Sequence, residues 1–215
     1  MISIDTYRAD PCGGLSIPYH KAKALILPPW LRVVHQRDFC AEDWSGWKDT
    51  PYFRLYHDLE AVPFSPVPAP YRLEAAGEEH CPAIAELIRL CYGWDTPAEE
   101  VLSWRDAAVF RPELWLLVRD GGGALAGAAM GEFDPEVGEG TLEWVQVHPE
   151  HRRRGLGAAL TAALLERLSD MADFATVSGE VMNPTAPEAL YRRCGFTGEN
   201  VWHVLKLEGS ASYTI

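Results

Sequence analysis

The sequence predicts a mixed α/β fold, a layer of helices around one sheet, and three observations carry that prediction. Beyond residue 70 the apolar residues alternate between strand and helix periods, in the order strand, two helices, three strands, helix, strand, helix, strand. A glycine-rich turn at Gly121 to Gly123 separates two apolar runs, as in a hairpin. The third apolar strand runs into "HPEHRRRGLG", and the glycines there open an amphipathic helix.

The elements are taken in chain order. "VPFSPVPAP", Val62 to Pro70, has four prolines in nine residues and reads as a linker. With it, residues 1–70 hold 9 of the 16 prolines and 10 of the 23 aromatics, with strand character at "LRVVH" and an ambiguous "YFRLYHDL". Such a segment is too aromatic for disorder and too rich in breakers to bury much surface alone, so it is expected as an extension packing on the main domain. "YRLEAA" reads as a strand, and "CPAIAELIRLCYG" as a helix with Ile84, Leu87, Ile88 and Cys91 on one face, closed by Gly93. "TPAEEVLSWRDAAVF" starts with a Thr cap and a first-turn Pro. The hairpin "ELWLLVRDGGGALAGAAMGEF" and the strand "GTLEWVQV" come next. Leu156, Leu160, Leu164 and Leu168 then recur every four residues on one helix face. "FATVSGEV" (strand), "APEALYRRCG" (helix closed by Gly195) and "VWHVLKL" (strand) complete the order.

Composition bounds the function. No apolar run reaches the ~18 residues of a membrane span, and no basic-then-apolar leader opens the chain, which predicts a soluble cytoplasmic protein. The five cysteines lack metal or redox spacing and read as reduced thiols, and no metal site is expected. Of the net charge of -12, residues 71–215 carry -11, a surface that repels nucleic acid and attracts cationic small molecules or basic peptides.

The three arginines before Gly155 are the local exception. A helix start offers unpaired backbone N–H groups and a positive dipole end; Gly155 and Gly157 allow close backbone approach, and arginines add charged donors. Strand, glycine loop and helix together read as a pyrophosphate cradle. A dinucleotide fold is disfavoured, because Leu160 stands where a third glycine belongs and seven residues separate strand from glycines. A Walker loop is disfavoured by the missing Lys and Ser/Thr.

With the strand and loop "LEWVQVHPEHRRRGLGAALTAALLE", the strand "ATVSGEV", Asn183 and "ALYRRCGF" in this order, the chain resembles the GNAT superfamily of acyl-CoA-dependent N-acetyltransferases over residues 71–208, leaving a tail at 209–215. The resemblance implies a central mixed, mostly antiparallel sheet flanked by helices, and transfer of an acetyl group from acetyl-CoA to an amine. By position, main-chain groups of Val145, Gln146 and Val147 would pair with the pantetheine arm, and Arg152, Arg153, Arg154, Gly155, Leu156, Gly157 and Ala158 would hold the pyrophosphate. Asn183 would sit near the arm, and the Tyr191 hydroxyl would protonate the leaving thiolate. Asn183 to Tyr191 is one position longer than the family's usual spacing, with Pro184 and Pro187 between, which points to a later helix start.

Attack on a thioester requires a neutral amine, so a proton acceptor is needed. Glu143, Glu132, Glu180 and His148 are candidates. Strict alternation puts Glu143 on the face of Thr141, Val145 and Val147, opposite Leu142, Trp144 and Gln146, and makes it the choice for the base. The acceptor is expected to be an amine, small molecule or peptide, favoured by the acidic surface to be cationic. Trp30, Trp44, Trp47, Tyr52, Phe53 and Tyr56 either line its pocket or staple the first segment to the sheet or to a second subunit of a homodimer. A non-catalytic acyl-CoA sensor or scaffold and a nucleotide-binding module are the alternatives.

Overall fold

The computed structural model describes residues 2–210; of the tail expected at 209–215, residues 211–215 lie outside the described residues. In chain order the helices and strands are α1 (Ile4–Ala9), α2 (Pro11–Gly14), α3 (Tyr19–Ala24), β1 (Leu31–His35), β2 (Trp47–His57), β3 (Arg72–Ala75), α4 (Cys81–Tyr92), α5 (Ala98–Ser103), β4 (Phe110–Arg119), β5 (Leu125–Asp134), β6 (Glu139–Val147), α6 (Leu156–Ser169), β7 (Phe174–Glu180), α7 (Pro187–Arg193) and β8 (Thr197–Leu207). The fold is mixed α/β with mostly antiparallel strand pairing and flanking helices, as the sequence predicts. Among the described residues no helix is long and apolar enough to cross a membrane. The chain compacts into two units, Asp58–Ala175 and the combination of Met1–His57 with Thr176–Ile215.

In the unit of residues 58–175 the strand order is β6-β5-β4-β3. Alternate residues of β5 point to opposite faces, and the two faces carry different helices. Ala128 and Met130 pack into a core with Ile84, Leu87 and Ile88 of α4 and Val101 of α5. On the other face the predicted leucine row of α6 meets a row of glycines. A Cβ on Gly127 would stand 3.2 Å from a Leu160 methyl, on Gly131 3.5 Å from Leu164, and on Gly140 2.6 Å from Leu168. The missing side chains let α6 lie close to the sheet, which sets the height of its first turn relative to the end of β6. Ser103 rather than a longer run ends α5: the helix begins at Ala98 with an extended Pro97 before it and no side-chain cap, so Thr96 does not serve as the expected cap.

In the other unit the order is β1-β8-β2-β7. The first six residues of the ambiguous "YFRLYHDL" are the second half of β2, an eleven-residue strand paired antiparallel with β8 from Trp47 to Tyr56. Arg54 of β2 is fully buried; it donates to the Tyr7 hydroxyl (3.0 Å), the Pro11 carbonyl (3.4 Å) and the hydroxyls of Thr176 (3.3 Å) and Ser178 (3.2 Å). A buried guanidinium is tolerable only when its donors are satisfied, and these bonds tie α1 and α2 to the strands. Phe53 seats on β7 where Gly179 has no side chain: a Cβ there would be 2.5 Å from the Phe53 ring. The Trp44 and Trp47 rings meet edge to face at 5.4 Å.

Candidate active site

β6 ends at Val147, a turn at Pro149–His151 comes next, and α6 begins after Gly155. His148 N–H donates to the Ala126 carbonyl at 2.9 Å, which makes Gly127 and Val147 a non-hydrogen-bonded pair. Val147 and, two residues back, Val145 therefore turn their N–H and C=O groups away from β5, while Gln146 spends its own on Ala128.

The loop is braced by two of its three arginines. Arg152 Nε donates back to the Val147 carbonyl at 3.2 Å. Arg154 donates to the Tyr71 hydroxyl at 2.9 Å and to the Glu150 carbonyl at 3.2 Å. The same Tyr71 hydroxyl is hydrogen-bonded to His151 Nδ1 at 3.0 Å, and His151 Nε2 lies 4.0 Å from Asp120 at the hairpin turn. Backbone N–H groups of Ala124 and Gly122 donate to the Asp120 carboxylate and hold its pKa below the usual value. Arg153 is exposed in a left-handed conformation (φ 63°) and has no partner among the described residues.

Gly155 is the residue the cradle turns on. Its φ of 83° lies in the left-handed region, it stands at the N-cap of α6, and a Cβ built on it would meet nothing within 4 Å. No side chain caps the helix, so the first-turn N–H groups of Leu156, Gly157 and Ala158 have no side-chain acceptor at the N-cap. This start of α6 fits an anionic group such as a pyrophosphate: bare backbone donors, a positive helix end, and room.

Glu143 requires a correction. Along β5–β6 the partners step from Met130↔Trp144 to Gly131↔Leu142, one residue on β5 against two on β6, so Glu143 is the extra residue of a β-bulge. Alternation breaks there. Leu142 and Val145 share the α6 face, whereas Thr141, Trp144 and Gln146 share the α4 face, and the strict-period assignment of Glu143 to the face of Thr141 and Val145 does not hold.

The other unit holds Tyr191 and Asn183. Tyr191, 6% exposed, packs between Phe53 (6.2 Å between centroids) and Phe196 (5.8 Å). α7 begins at Pro187, the later start that the spacing suggests. Gly195 closes it with φ 95°, and a Cβ there would be 2.7 Å from the His57 ring. Asn183 forms a turn, its Oδ1 accepting from the N–H (2.9 Å) and hydroxyl (2.7 Å) of Thr185. His203 is paired with Asp49 at 2.8 Å and stacked on Phe39 at 3.6 Å, a cross-strand brace.

Two residues that the sequence does not assign to the site stand at the β6 carbonyls. The Tyr92 hydroxyl donates to the Val145 carbonyl at 3.4 Å, and the Cys91 thiol to the Val147 carbonyl at 3.5 Å. Burial pushes the Tyr92 hydroxyl up to about 12 and raises the Cys91 thiol, with Arg152 partly offsetting both. Their sequence signals, a place on the apolar face of the helix for Cys91 and at its end for Tyr92, do not point to a site.

The sequence model of the Acetyltransferase (GNAT) family matches residues 81–196. Among curated proteins, a mycothiol acetyltransferase of Pseudarthrobacter chlorophenolicus is 31% identical over 156 residues, 69% of this chain and 46% of that protein. A mycothiol acetyltransferase of Saccharopolyspora erythraea is 52% identical over 52 residues, 24% of this chain and 17% of that protein. The chain thus spans less than half the length of these relatives. Among solved structures, a GCN5-related N-acetyltransferase from Sphaerobacter thermophilus has a TM-score of 0.68 at 19% identity, covering 86% of this chain and 62% of that one. An acetyltransferase from Colwellia psychrerythraea has a TM-score of 0.62 at 14% identity, covering 82% and 64%, and these two likenesses concern the fold. By the match of the family's sequence model over more than half its length, the chain belongs to the acetyltransferase (GNAT) family.

Proposed function

We propose that the protein transfers an acetyl group from acetyl-CoA to a primary amine. The observation that carries the acetyl-CoA half is the start of α6, with its left-handed Gly155, uncapped first turn and open approach. In this reading the backbone from Arg152 to Ala158 holds the pyrophosphate and Arg153, which has no other partner among the described residues, adds charge. The outward main-chain groups of Val145 and Val147 pair with the amide-bearing arm like an added strand, in the register that Gln146 keeps with β5. Asn183 keeps in this reading the role near the arm that the family resemblance implies. Acetyl-CoA supplies the activated acyl group, and no metal enters the reading.

The chain's own groups move the protons. For a lysine-like acceptor, reaching the free base at pH 7 costs roughly 4 to 5 kcal/mol, so Glu143, presented by the bulge, takes the amine proton. The amine nitrogen attacks the carbonyl carbon, the C–N bond forms, the C–S bond breaks, the Tyr191 hydroxyl donates its proton to the departing thiolate, and the second proton that the new amide nitrogen loses restores Tyr191. A cationic acceptor suits the acidic surface.

The test is thiol release from acetyl-CoA across spermidine, an aminoglycoside, a lysine peptide, a peptide N-terminus and amines related to mycothiol, a set the relatives' name extends. Calorimetry on CoA, NAD and ATP accompanies it. Turnover on at least one amine with CoA binding is the expected result; CoA binding without turnover on any amine would turn the reading into the acyl-CoA sensor, and preference for NAD or ATP would overturn it.

A further inference from the structure

The last turn of α4 closes over the part of β6 that the proposed function assigns to the acyl carrier's arm. Val145 and Val147 are the residues whose main-chain groups face away from β5, and both carbonyls already have donors from that turn. The Tyr92 hydroxyl takes one at 3.4 Å, long for its type, and the Cys91 thiol, a weak donor, the other at 3.5 Å. Arg152 is a third, stronger donor on Val147.

Between these two carbonyls sits Gln146. Its side chain is 3% exposed, and neither its amide nitrogen nor its oxygen has a hydrogen-bond partner among the described residues. A buried amide with both ends unused is costly and calls for an explanation. Gln146 shares the α4 face with Trp144, whose ring meets those of Tyr92 and Trp94 at 5.6 Å each. Gly93, with φ 72° and nothing within 4 Å of where a Cβ would stand, terminates α4 directly after Tyr92. Tyr92 and Trp94 are 37% and 36% exposed, so this turn lies at the surface.

We propose that the last turn of α4 is a latch: on binding, the amide groups of the acyl carrier's arm displace Tyr92 and Cys91 from the Val145 and Val147 carbonyls and give the Gln146 side-chain amide the partner it lacks. Each amide of the arm brings one N–H and one C=O, which is the complement of a free carboxamide. The closed latch shields two strand carbonyls with bonds weak enough to exchange. Gln146 makes the closed form the less satisfied one. The inference rests on the reading that β6 receives the arm.

The experiment uses coenzyme A itself as the probe, on the full chain. Tyr92→Phe removes the competing hydroxyl and is expected to bind CoA about fivefold tighter. Cys91→Ala adds about twofold, and the double variant reaches about tenfold. Gln146→Leu is expected to bind CoA about tenfold more weakly while unfolding at a higher temperature, since an apolar group replaces an unsatisfied amide. Tryptophan emission of the wild type should change on saturation with CoA and lose that change in Trp94→Phe. Equal CoA affinity in the wild type, the Cys91→Ala/Tyr92→Phe double variant and Gln146→Leu would overturn the latch and leave the proposed function standing. Absence of CoA binding in all of them would overturn the proposed function, and the latch with it.

Discussion

Replacing Gly155 by alanine separates the backbone's role in the cradle from its role in the fold. A Cβ there meets nothing within 4 Å, so the protein suffers no clash. The φ of 83° is left-handed, which costs an alanine about 1 to 2 kcal/mol. For a chain of this size that lowers the unfolding midpoint by roughly 2 to 8 °C. Gly123, at the β4–β5 turn, is the matched control, with φ 88° and equally open space. Gly123→Ala should lose about the same stability. Coenzyme binding should distinguish them: if the open space before α6 receives the pyrophosphate, the methyl group blocks one charge-assisted N–H contact, worth about 1.5 to 3 kcal/mol or ~10- to 100-fold in affinity. Thermal unfolding and calorimetry with CoA on both variants provide the measurement. Equal CoA affinities in Gly155→Ala and Gly123→Ala would refute the cradle, and a much larger midpoint drop at Gly155 would refute the open space.

Three further outcomes are expected from the structure. Tyr191→Phe should lower turnover far more than CoA affinity, since its ring packing on Phe53 and Phe196 survives; unchanged turnover removes the hydroxyl from the mechanism. Gly140→Ala puts a Cβ 2.6 Å from the Leu168 methyl and should cost about 1 to 3 kcal/mol in a urea titration, and a neutral effect would mean that α6 is free to shift. The Tyr92 hydroxyl is raised by burial from 10.0 to about 12. A raised acid favours the neutral form when folded, so this stability is full below pH 10 and is lost as pH rises through 12. Two units correspond to at most ~2.7 kcal/mol, which solvent screening of a residue 37% exposed reduces to roughly 1 kcal/mol. Between pH 9 and pH 12 the denaturant midpoint should therefore fall further for the wild type than for Tyr92→Phe, and parallel losses would contradict the buried hydroxyl.

What the sequence determined by itself was local. The leucine row of α6, the glycines at its start, the hairpin around Gly121 to Gly123 and the closing Gly195 are legible because helix and strand periods and glycine's backbone freedom act over a few residues. The tertiary structure alone decided the rest. The bulge at Glu143 depends on how β6 registers against β5, and one extra residue inverts the face of everything before it. That Arg152 and Arg154 brace the loop, while Arg153 stays unpartnered among the described residues, depends on Val147 and on Tyr71, more than eighty residues upstream. Arg54 looks like a surface charge until Tyr7 and Thr176 close around it. Tyr92 and Cys91 end an ordinary helix until its last turn meets the β6 carbonyls. Contacts between residues distant in sequence carry no period in the chain, and only the folded backbone brings their partners within hydrogen-bonding reach.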